Sequence, residues 1–325
     1  MRRRTFIAGV GGTVLLAPRS IFAQQPGRTY RLGAVIPSGR QTPPIVALFD
    51  ELRLNGFIEG HNLEVLPDGF AIRNEQMPAQ AAAMVKAAPD VIISGGLFAT
   101  RAVQQVNPSG PHVATSNDMI ADGFVPSLAR PGGNTTGISL LAPELDGKRQ
   151  DLVIEAVPGL RKLGLLADGN TTPPAHLQKL LAAARGRGIE AAAYAVTRSE
   201  EIASAIQSAK MSGAMALNVL TSPMFGAYPN RGIVFERATA LRLPAIYEWP
   251  EMAEEGGFAA YGPRFSDFFR QYARIVVRVL RGMKPAEIPV EQPTRFEFVL
   301  NLKTAKAIGH EIPAGLVLRA DKLIE

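Results

Sequence analysis

The sequence predicts an α/β protein made of two doubly wound, Rossmann-like lobes that are joined by three hinge crossings. Short apolar runs alternate with segments of helical spacing through the first third of the chain. A polar, glycine-rich passage at 130–139 interrupts this alternation, which restarts beyond it. Strands separated by single helices form parallel sheets through right-handed crossovers, so each series predicts one lobe.

The first series contains four strands and three helices in alternation. Apolar residues at 45, 46, 48, 49 and 52 have helical spacing, and Gly56 and Gly60 end that helix. The predicted strands cover 30–36, 62–66, 91–94 and 112–115, and the predicted helices cover 45–55, 77–87 and a segment that follows Gly95-Gly96 and ends at Val106.

The three crossings are predicted where glycine and proline interrupt the pattern. The passage Arg130-Pro-Gly-Gly-Asn-Thr-Thr-Gly-Ile-Ser139 is expected neither to continue a helix nor to fill the middle of a strand. Gly262-Pro263 and the proline-rich 289–294 predict the second and third crossings. The expected lobes are therefore 28–137 plus about 264–290, and 138–263 plus about 291–325.

The second series repeats the rhythm of the first. Ser199 is a plausible N-cap for the helix at 200–210, and the long amphipathic helix at 266–281 is predicted to return to the first lobe. The predicted strands cover 163–167, 190–196, 214–220, 244–247, 258–261 and 295–300, and the other predicted helices cover 175–187, 232–241 and 304–308.

The N-terminus predicts a signal peptide over residues 1–23. Arg3-Arg4-Thr5-Phe6-Ile7 fits the twin-arginine pattern, an apolar run follows at 8–17, and Ile21-Phe22-Ala23 suits cleavage near Ala23. The chain contains no cysteine that could carry a lipid anchor. These features predict a mature protein that is free in the bacterial periplasm.

Composition excludes several functional classes. Four arginines in the first 23 residues, with no acid among them, supply most of the net charge of +6, so the high pI does not indicate nucleic-acid binding. The sequence has no P-loop and no Gly-x-Ser-x-Gly elbow, and its four histidines lack metal-ligand spacing. We expect no catalytic residue, no metal and no cofactor, and therefore binding without chemistry.

Ligands of open parallel sheets bind beyond the carboxyl ends of the strands, which here selects six loops. Glycines admit close backbone approach, hydroxyl and amide groups supply hydrogen bonds, and an acid such as Glu248 can pair with an ammonium group. Strand-to-helix turns, helix caps and solvated loops remain the alternative interpretations of the same residues. The predicted ligand-binding residues are Ser38, Arg40, Gly95, Gly96, Leu97, Ser116, Asn117, Asp118, Asp168, Asn170, Thr221, Ser222, Glu248 and Tyr261.

Four aromatic residues of the second lobe are candidates for an apolar wall of the site. Phe225, Tyr228, Tyr247 and Trp249 follow the ends of predicted strands. For Trp249, which precedes a proline, packing in the protein is favoured over stacking on a ligand.

The C-terminal segment resembles one family closely. Pro289-Val-Glu-Gln-Pro-Thr-Arg-Phe-Glu-Phe-Val-Leu-Asn-Leu-Lys-Thr-Ala-Lys-Ala-Ile-Gly309 and the ending at 319–325 resemble the tryptophan/tyrosine-binding-like solute-binding proteins of ABC transporters. Gly256-Gly-Phe-Ala-Ala-Tyr-Gly262 and the passage at 130–137 are similar to two further motifs of that family. The resemblance implies a type I periplasmic-binding fold that encloses a ligand by hinge closure and delivers it to a membrane permease and its ATPase.

The resemblance also implies ligand-binding roles for residues in the predicted loops. It implies that Gly95-Gly96 and Ser116-Asn117 hold a ligand carboxylate and that an acid placed like Glu248 holds an ammonium group. Family members often have Asp-Pro-Val where this chain has Asp118-Met-Ile120, a difference that bears on the identity of the ligand.

The expected function is therefore capture of a small carboxylate-bearing solute, an amino acid or an aromatic acid, by a monomeric periplasmic component of an ABC importer. An exported α/β enzyme acting on a small molecule in the cleft is the alternative, with Asp118 and Asp168 as its best catalytic candidates. A ligand-sensing repressor core is a third interpretation, but an export signal occupies the place of its DNA-binding helices.

Overall fold

The first sheet of the computed structural model, which describes residues 27–228 and 230–325, is fully parallel. Its strands are buried runs of mostly apolar residues, as expected for a sheet covered on both faces. The strands are β1 (Tyr30–Val35), β2 (Leu63–Val65), β3 (Val91–Gly95), β4 (His112–Ser116) and β5 (Thr135–Ser139), in the spatial order β2-β1-β3-β4-β5. The predicted signal peptide at 1–23 lies outside the described residues.

Four helices cover this sheet, and one of them returns from late in the chain. They are α1 (Pro43–Leu54), α2 (Met77–Lys86), α3 (Gly96–Val106) and the sixteen-residue α10 (Phe265–Leu280). In α10, the hydroxyl of Tyr272 accepts the N–H of Ser94 at 3.0 Å and lies 2.6 Å from the carbonyl oxygen of Val113. These contacts fix α10 to the first sheet.

The second sheet has seven strands in the order β12-β11-β10-β9-β8-β6-β7, and β11 is antiparallel to β10. Its strands are β6 (Lys162–Asp168), β7 (Glu190–Val196), β8 (Ala216–Val219), β9 (Ala245–Tyr247), β10 (Ala259–Gly262), β11 (Glu297–Asn301) and β12 (Lys322–Ile324). Its helices are α4 (Ala142–Ala156), α5 (Pro174–Gly186), α6 (Ile202–Met211), α7 (Pro223–Gly226), α8 (Asn230–Ala240), α9 (Pro250–Glu254), α11 (Leu302–Ala307) and α12 (Ala314–Val317).

The prediction that 130–139 contains no strand is wrong. Its second half forms β5, which pairs with β4 along its length. Gly137 has a φ of 150°, and a Cβ atom there would lie 1.7 Å from the carbonyl oxygen of Ala114. The glycine therefore marks a very close approach of two backbones inside a strand and not a break in it.

Two further details of the second lobe differ from the sequence prediction. The helix α4 was not predicted from the sequence. Three of its buried residues are polar, so its buried side does not show the apolar spacing by which the other helices were predicted. Ser199 does not cap α6: it lies in a 3₁₀ turn, Ser199–Glu201, and the carboxylate of Glu201 accepts the N–H of Thr197 at 2.8 Å.

Three segments connect the two sheets. The first is Leu140 and Leu141 between β5 and α4, the second lies at Gly262 and Pro263 before α10, and the third joins α10 to β11. In the third segment the N–H of Glu291 donates to the carbonyl of Gly137 at 2.9 Å, which holds two of the connections side by side. The predicted α/β fold of two parallel-sheet lobes is confirmed.

Among the helices of 27–228 and 230–325, we find none with the length and apolar character that a membrane span requires.

Candidate functional site

A cavity lies between the two lobes at the carboxyl ends of strands from both sheets. The space free of protein atoms in and at the mouth of this cavity is about 600 Å³, part of which is open to solvent. The first lobe contributes the residues after β1, β3 and β4, and the second contributes those after β8 and β9. The lining residues are Ile36, Pro37, Ser38, Gly95, Gly96, Thr115, Ser116, Asn117, Leu140, Thr221, Ser222, Pro223, Gly226, Ala227, Glu248, Trp249, Phe265, Phe268 and Phe269.

The first lobe presents polar groups where α3 begins. Gly96, with a φ of 84°, starts α3 directly after β3 and lines the cavity, and its N–H donates to the hydroxyl of Thr115 at 3.4 Å. Ser116 is 1% exposed, and its hydroxyl lies beside the carboxyl of Asp122, where burial raises the pKa of that carboxyl and the hydroxyl acts against burial to lower it.

The lobes touch each other across the cavity. The side-chain amide of Asn117 in the first lobe donates to the carbonyl oxygen of Thr221 in the second at 3.4 Å. A Cβ atom at Gly96 would lie 3.2 Å from Pro223 Cγ, so the glycine allows the second lobe to come this close. The two lobes are therefore in direct contact at the edge of the cavity.

Glu248, at the end of β9, is the buried acid of the cavity. It is 6% exposed, and burial raises the pKa of its carboxyl to about 8, while the positive charge of Arg149 acts in the opposite direction. A Cβ atom at Gly226 would lie 2.3 Å from Glu248 Oε1, so only glycine leaves room for the carboxylate in this position.

A buried polar network under the cavity was not predicted from the sequence. Asp146 and Arg149 of α4 form a salt bridge, and both are less than 3% exposed. Asp146 Oδ1 accepts the N–H of Thr221 at 3.0 Å and its hydroxyl at 3.1 Å, and Asp146 Oδ2 lies 2.8 Å from His176 Nε2. Arg149 donates to the carbonyl of Tyr261 at 3.0 Å. The network fixes the loop that follows β8.

At Asp146, nearby charges and hydrogen bonds lower the pKa of the carboxyl, whereas burial raises it. Burial alone would raise the pKa of its carboxyl, but Arg149, His176 and the N–H of Thr221 together hold the pKa below its ordinary value. Asp146 therefore stays ionised and balances the charge of Arg149, which leaves Glu248 as an acid without a full countercharge.

An aromatic wall closes one side of the cavity. The rings of Trp249 and Phe265 stack with centroids 4.2 Å apart and planes at 24°, and Phe265 meets Phe269 edge to face at 5.2 Å. Phe268 completes the wall. The helix predicted at 266–281 contained Phe268 and Phe269 only as part of its apolar side, and Phe265 lay just before it. The signal available was their position at the start of a helix that follows a crossing.

The other predicted aromatic residues lie elsewhere. Phe225 is buried in the core, Tyr247 packs edge to face on Phe235, and the exposed Tyr228 donates to Glu255 at 2.8 Å. Only Trp249 of the four predicted aromatics lines the cavity, where it packs against the protein as well.

Eight of the fourteen predicted site residues line the cavity: Ser38, Gly95, Gly96, Ser116, Asn117, Thr221, Ser222 and Glu248. The other six do not line it, and three of these belong to the first lobe. Arg40 pairs with Glu59 and lies over the ring of Phe49, and Asp118 Oδ1 accepts the N–H of Ile120 at 3.0 Å. Leu97 lies beside the cavity in an adjoining polar cleft.

The remaining three belong to the second lobe. Asp168 accepts the hydroxyl of Ser222 at 2.6 Å and so supports a lining residue from behind. Asn170 donates to the carbonyl of Thr197 at 2.8 Å, and the ring of Tyr261 stacks on Phe296.

Comparison with known proteins matches residues 49–324 to the model of one family, the ABC transporter substrate-binding proteins. The chain belongs to that family. This substrate-binding protein is 24% identical over 259 residues to the tyrosine-binding protein of Clostridioides difficile strain R20291, covering 78% of this chain and 72% of the relative.

Solved structures share the fold of this substrate-binding protein. An ABC domain in complex with L-Trp from Streptococcus pneumoniae is 20% identical with a TM-score of 0.76, covering 90% of this chain and 99% of that one. A conserved domain protein of Vibrio cholerae is 22% identical with a TM-score of 0.81, covering 91% and 100%. Both confirm the type I periplasmic-binding fold.

The family is one of binding proteins and not of enzymes, which decides against the exported-enzyme alternative. The two acids named for that alternative fit the same conclusion. Asp118 caps a turn, and Asp168 holds Ser222 in the second lobe.

Proposed function

We propose that this protein is the extracytoplasmic solute-binding component of an ABC importer and that its solute is an amino acid with an aromatic side chain. The observation that carries the proposal is the presence of a buried acid, Glu248, beside an aromatic wall in one interlobe cavity. The family supports the transport role, and the relatives named for tyrosine and L-Trp support the ligand class.

Each part of such a ligand has a matching group. Its ammonium would pair with Glu248, and its ring would lie against Trp249 and Phe265. Its carboxylate would meet the N–H groups that open α3 and the hydroxyl of Ser116, where a helix N-terminus favours an anion by about 0.3–1 kcal/mol or more. The eight predicted residues that line the cavity are the proposed contacts.

Closure follows from contacts that a ligand makes only when the lobes meet. A ligand that touches Ser116 of the first lobe and Glu248 of the second stabilises the closed state by its difference in affinity for the two states. The three connecting segments would supply the hinge, between lobes that cover 28–137 with about 264–290 and 138–263 with about 291–325.

The ligand class can be tested by calorimetric titration of the purified protein with three groups of compounds. L-tyrosine, L-tryptophan and L-phenylalanine should bind. Aromatic acids that lack an amine, such as 4-hydroxyphenylacetate, should bind more weakly, because they leave Glu248 without a partner. Glu248→Gln should weaken amino-acid binding by about 10-fold to 100-fold, the range for a hydrogen bond between charged groups.

Glu200→Gln, at an exposed glutamate outside the cavity, is the matched control and should leave affinity unchanged. Tighter binding of the amine-free acids than of the amino acids would favour the second ligand class, an aromatic acid. Absence of binding by both classes would contradict the proposed ligand.

Location and delivery can be tested in cells. We propose export by the signal at residues 1–23, a soluble periplasmic monomer, and delivery to an inner-membrane permease and its ATPase. Fractionation should place the mature chain in the periplasm, and replacement of Arg3 and Arg4 by lysine should retain it in the cytoplasm. Gel filtration at the mass of one chain would support the monomer.

A further inference from the structure

We propose that Glu251 is a positioning residue that holds the aromatic wall over the cavity. Glu251 belongs to the short helix α9 of the second lobe, yet its carboxylate binds the start of α10, which packs on the first lobe. Both of its oxygens lie 3.1 Å from the N–H of Phe265, and Oε1 accepts the hydroxyl of Ser266 at 3.3 Å. One side chain therefore spans the second crossing.

The start of α10 lacks a cap of its own. The first N–H groups of a helix have no partner within the helix, and Arg264 at the N-cap position carries no side-chain acceptor for them. A carboxylate satisfies these donors and also interacts favourably with the positive end of the helix dipole. Glu251 of the other lobe thus supplies the N-terminal cap that the local sequence of α10 lacks.

The first turn of α10, which Glu251 caps, begins the part of the helix that forms the aromatic wall of the cavity. Phe265, Phe268 and Phe269 all line the cavity from the first two turns of α10. Trp249, two residues before Glu251, stacks on Phe265, so the segment 249–251 holds this turn by a ring contact and by a cap. If the cap is removed, the turn is free to fray and the wall loses its fixed position.

Glu254 provides a matched control on the same helix. Its carboxylate pairs with Arg264 at 2.7 Å and with Lys322 at 2.8 Å, so it also reaches the second crossing. It makes no hydrogen bond to the N–H groups of α10. A role specific to the cap should therefore appear in variants of Glu251 and not in variants of Glu254.

The first measurement needs no ligand. Trp249 is the only tryptophan of the chain, so its emission reports directly on the ring stacked against Phe265. In Glu251→Ala the emission should shift to longer wavelength and quenching by acrylamide should increase. Glu251→Gln, which keeps an acceptor oxygen, should restore most of the wild-type signal, and Glu254→Ala should match wild type. A purely structural role would lower the melting temperature without moving the emission.

The second measurement titrates L-tyrosine and rests on the aromatic ligand proposed above. Glu251→Ala should raise the Kd by about fivefold to tenfold, mainly through faster dissociation, because the wall is less ordered before and after binding. Glu254→Ala should stay within about twofold. If wild type binds no aromatic amino acid, the proposed ligand fails, whereas the emission of ligand-free Trp249 still decides the role of Glu251. Equal emission in wild type and Glu251→Ala, or equal effects of both alanine variants, would overturn it.

Discussion

Replacement of Glu248 by glutamine should make the ligand-free protein more stable at neutral pH while it weakens ligand binding. The physical reason is that the folded protein buries this carboxyl and raises its pKa to about 8, against an ordinary value of 4.5. Folding therefore opposes ionisation of Glu248, and the loss of stability grows as the pH rises above 4.5.

The sign and size follow from linkage. A raised folded-state pKa contributes stability that is fully present below the unfolded pKa and is lost as the pH rises through the folded value. Between pH 4.5 and 7 the loss amounts to about 3 kcal/mol, since each pH unit in this window is worth about 1.4 kcal/mol. Glutamine does not ionise and avoids the loss, so its melting temperature at pH 7 should exceed that of wild type by on the order of 5–10 °C.

Thermal unfolding of wild type and Glu248→Gln from pH 5 to pH 8 measures this directly. The two melting temperatures should be close at pH 5 and should diverge as the pH rises, because other titrating groups are common to both proteins. Glu200→Gln should follow wild type throughout. Parallel curves for wild type and Glu248→Gln would refute the assignment of a buried, reluctantly ionised acid.

Two further substitutions test the cavity and the contact between the lobes. Gly226→Ala should weaken binding of L-tyrosine and lower the melting temperature, because its Cβ would lie 2.3 Å from Glu248 Oε1 and 2.9 Å from Trp249 Nε1, both in buried side chains; calorimetry measures both affinity and unfolding. Asn117→Ala should speed ligand dissociation by about twofold to tenfold in stopped-flow measurements, because it removes the 3.4 Å hydrogen bond to the opposite lobe. Asn170→Ala, which removes a hydrogen bond within one lobe, should leave dissociation unchanged.

The fold, and the part of the cavity formed by loops at the carboxyl ends of strands, could be predicted because both follow from simple spacing rules. Apolar runs such as 91–94 and 163–167 became buried strands. The carboxyl ends of parallel strands meet at one edge, so Gly95, Asn117 and Glu248 come together although they are far apart in sequence.

The rest of the cavity could not be predicted because it depends on tertiary contacts. These contacts place residues where their type and spacing in the sequence do not indicate. Asp146 and Arg149 look like surface charges on a polar helix, yet they are buried because they satisfy each other. Phe265 lies just before the helix predicted at 266–281, yet it belongs to the first turn of α10 and lines the cavity. Arg40 lies close in sequence to the lining residue Ser38, but Glu59 pairs with it outside the cavity.

The buried pair of Asp146 and Arg149 explains why the cavity can keep an acid with an unusual pKa. A buried salt bridge contributes little net stability, because desolvation offsets most of the attraction between its charges. Its effect here is on position: Asp146 holds both the N–H and the hydroxyl of Thr221, the residue that Asn117 meets from the opposite lobe. With Arg149 already balanced by Asp146, Glu248 has no full countercharge of its own, and the ammonium group of a ligand is the partner that would favour its ionised form.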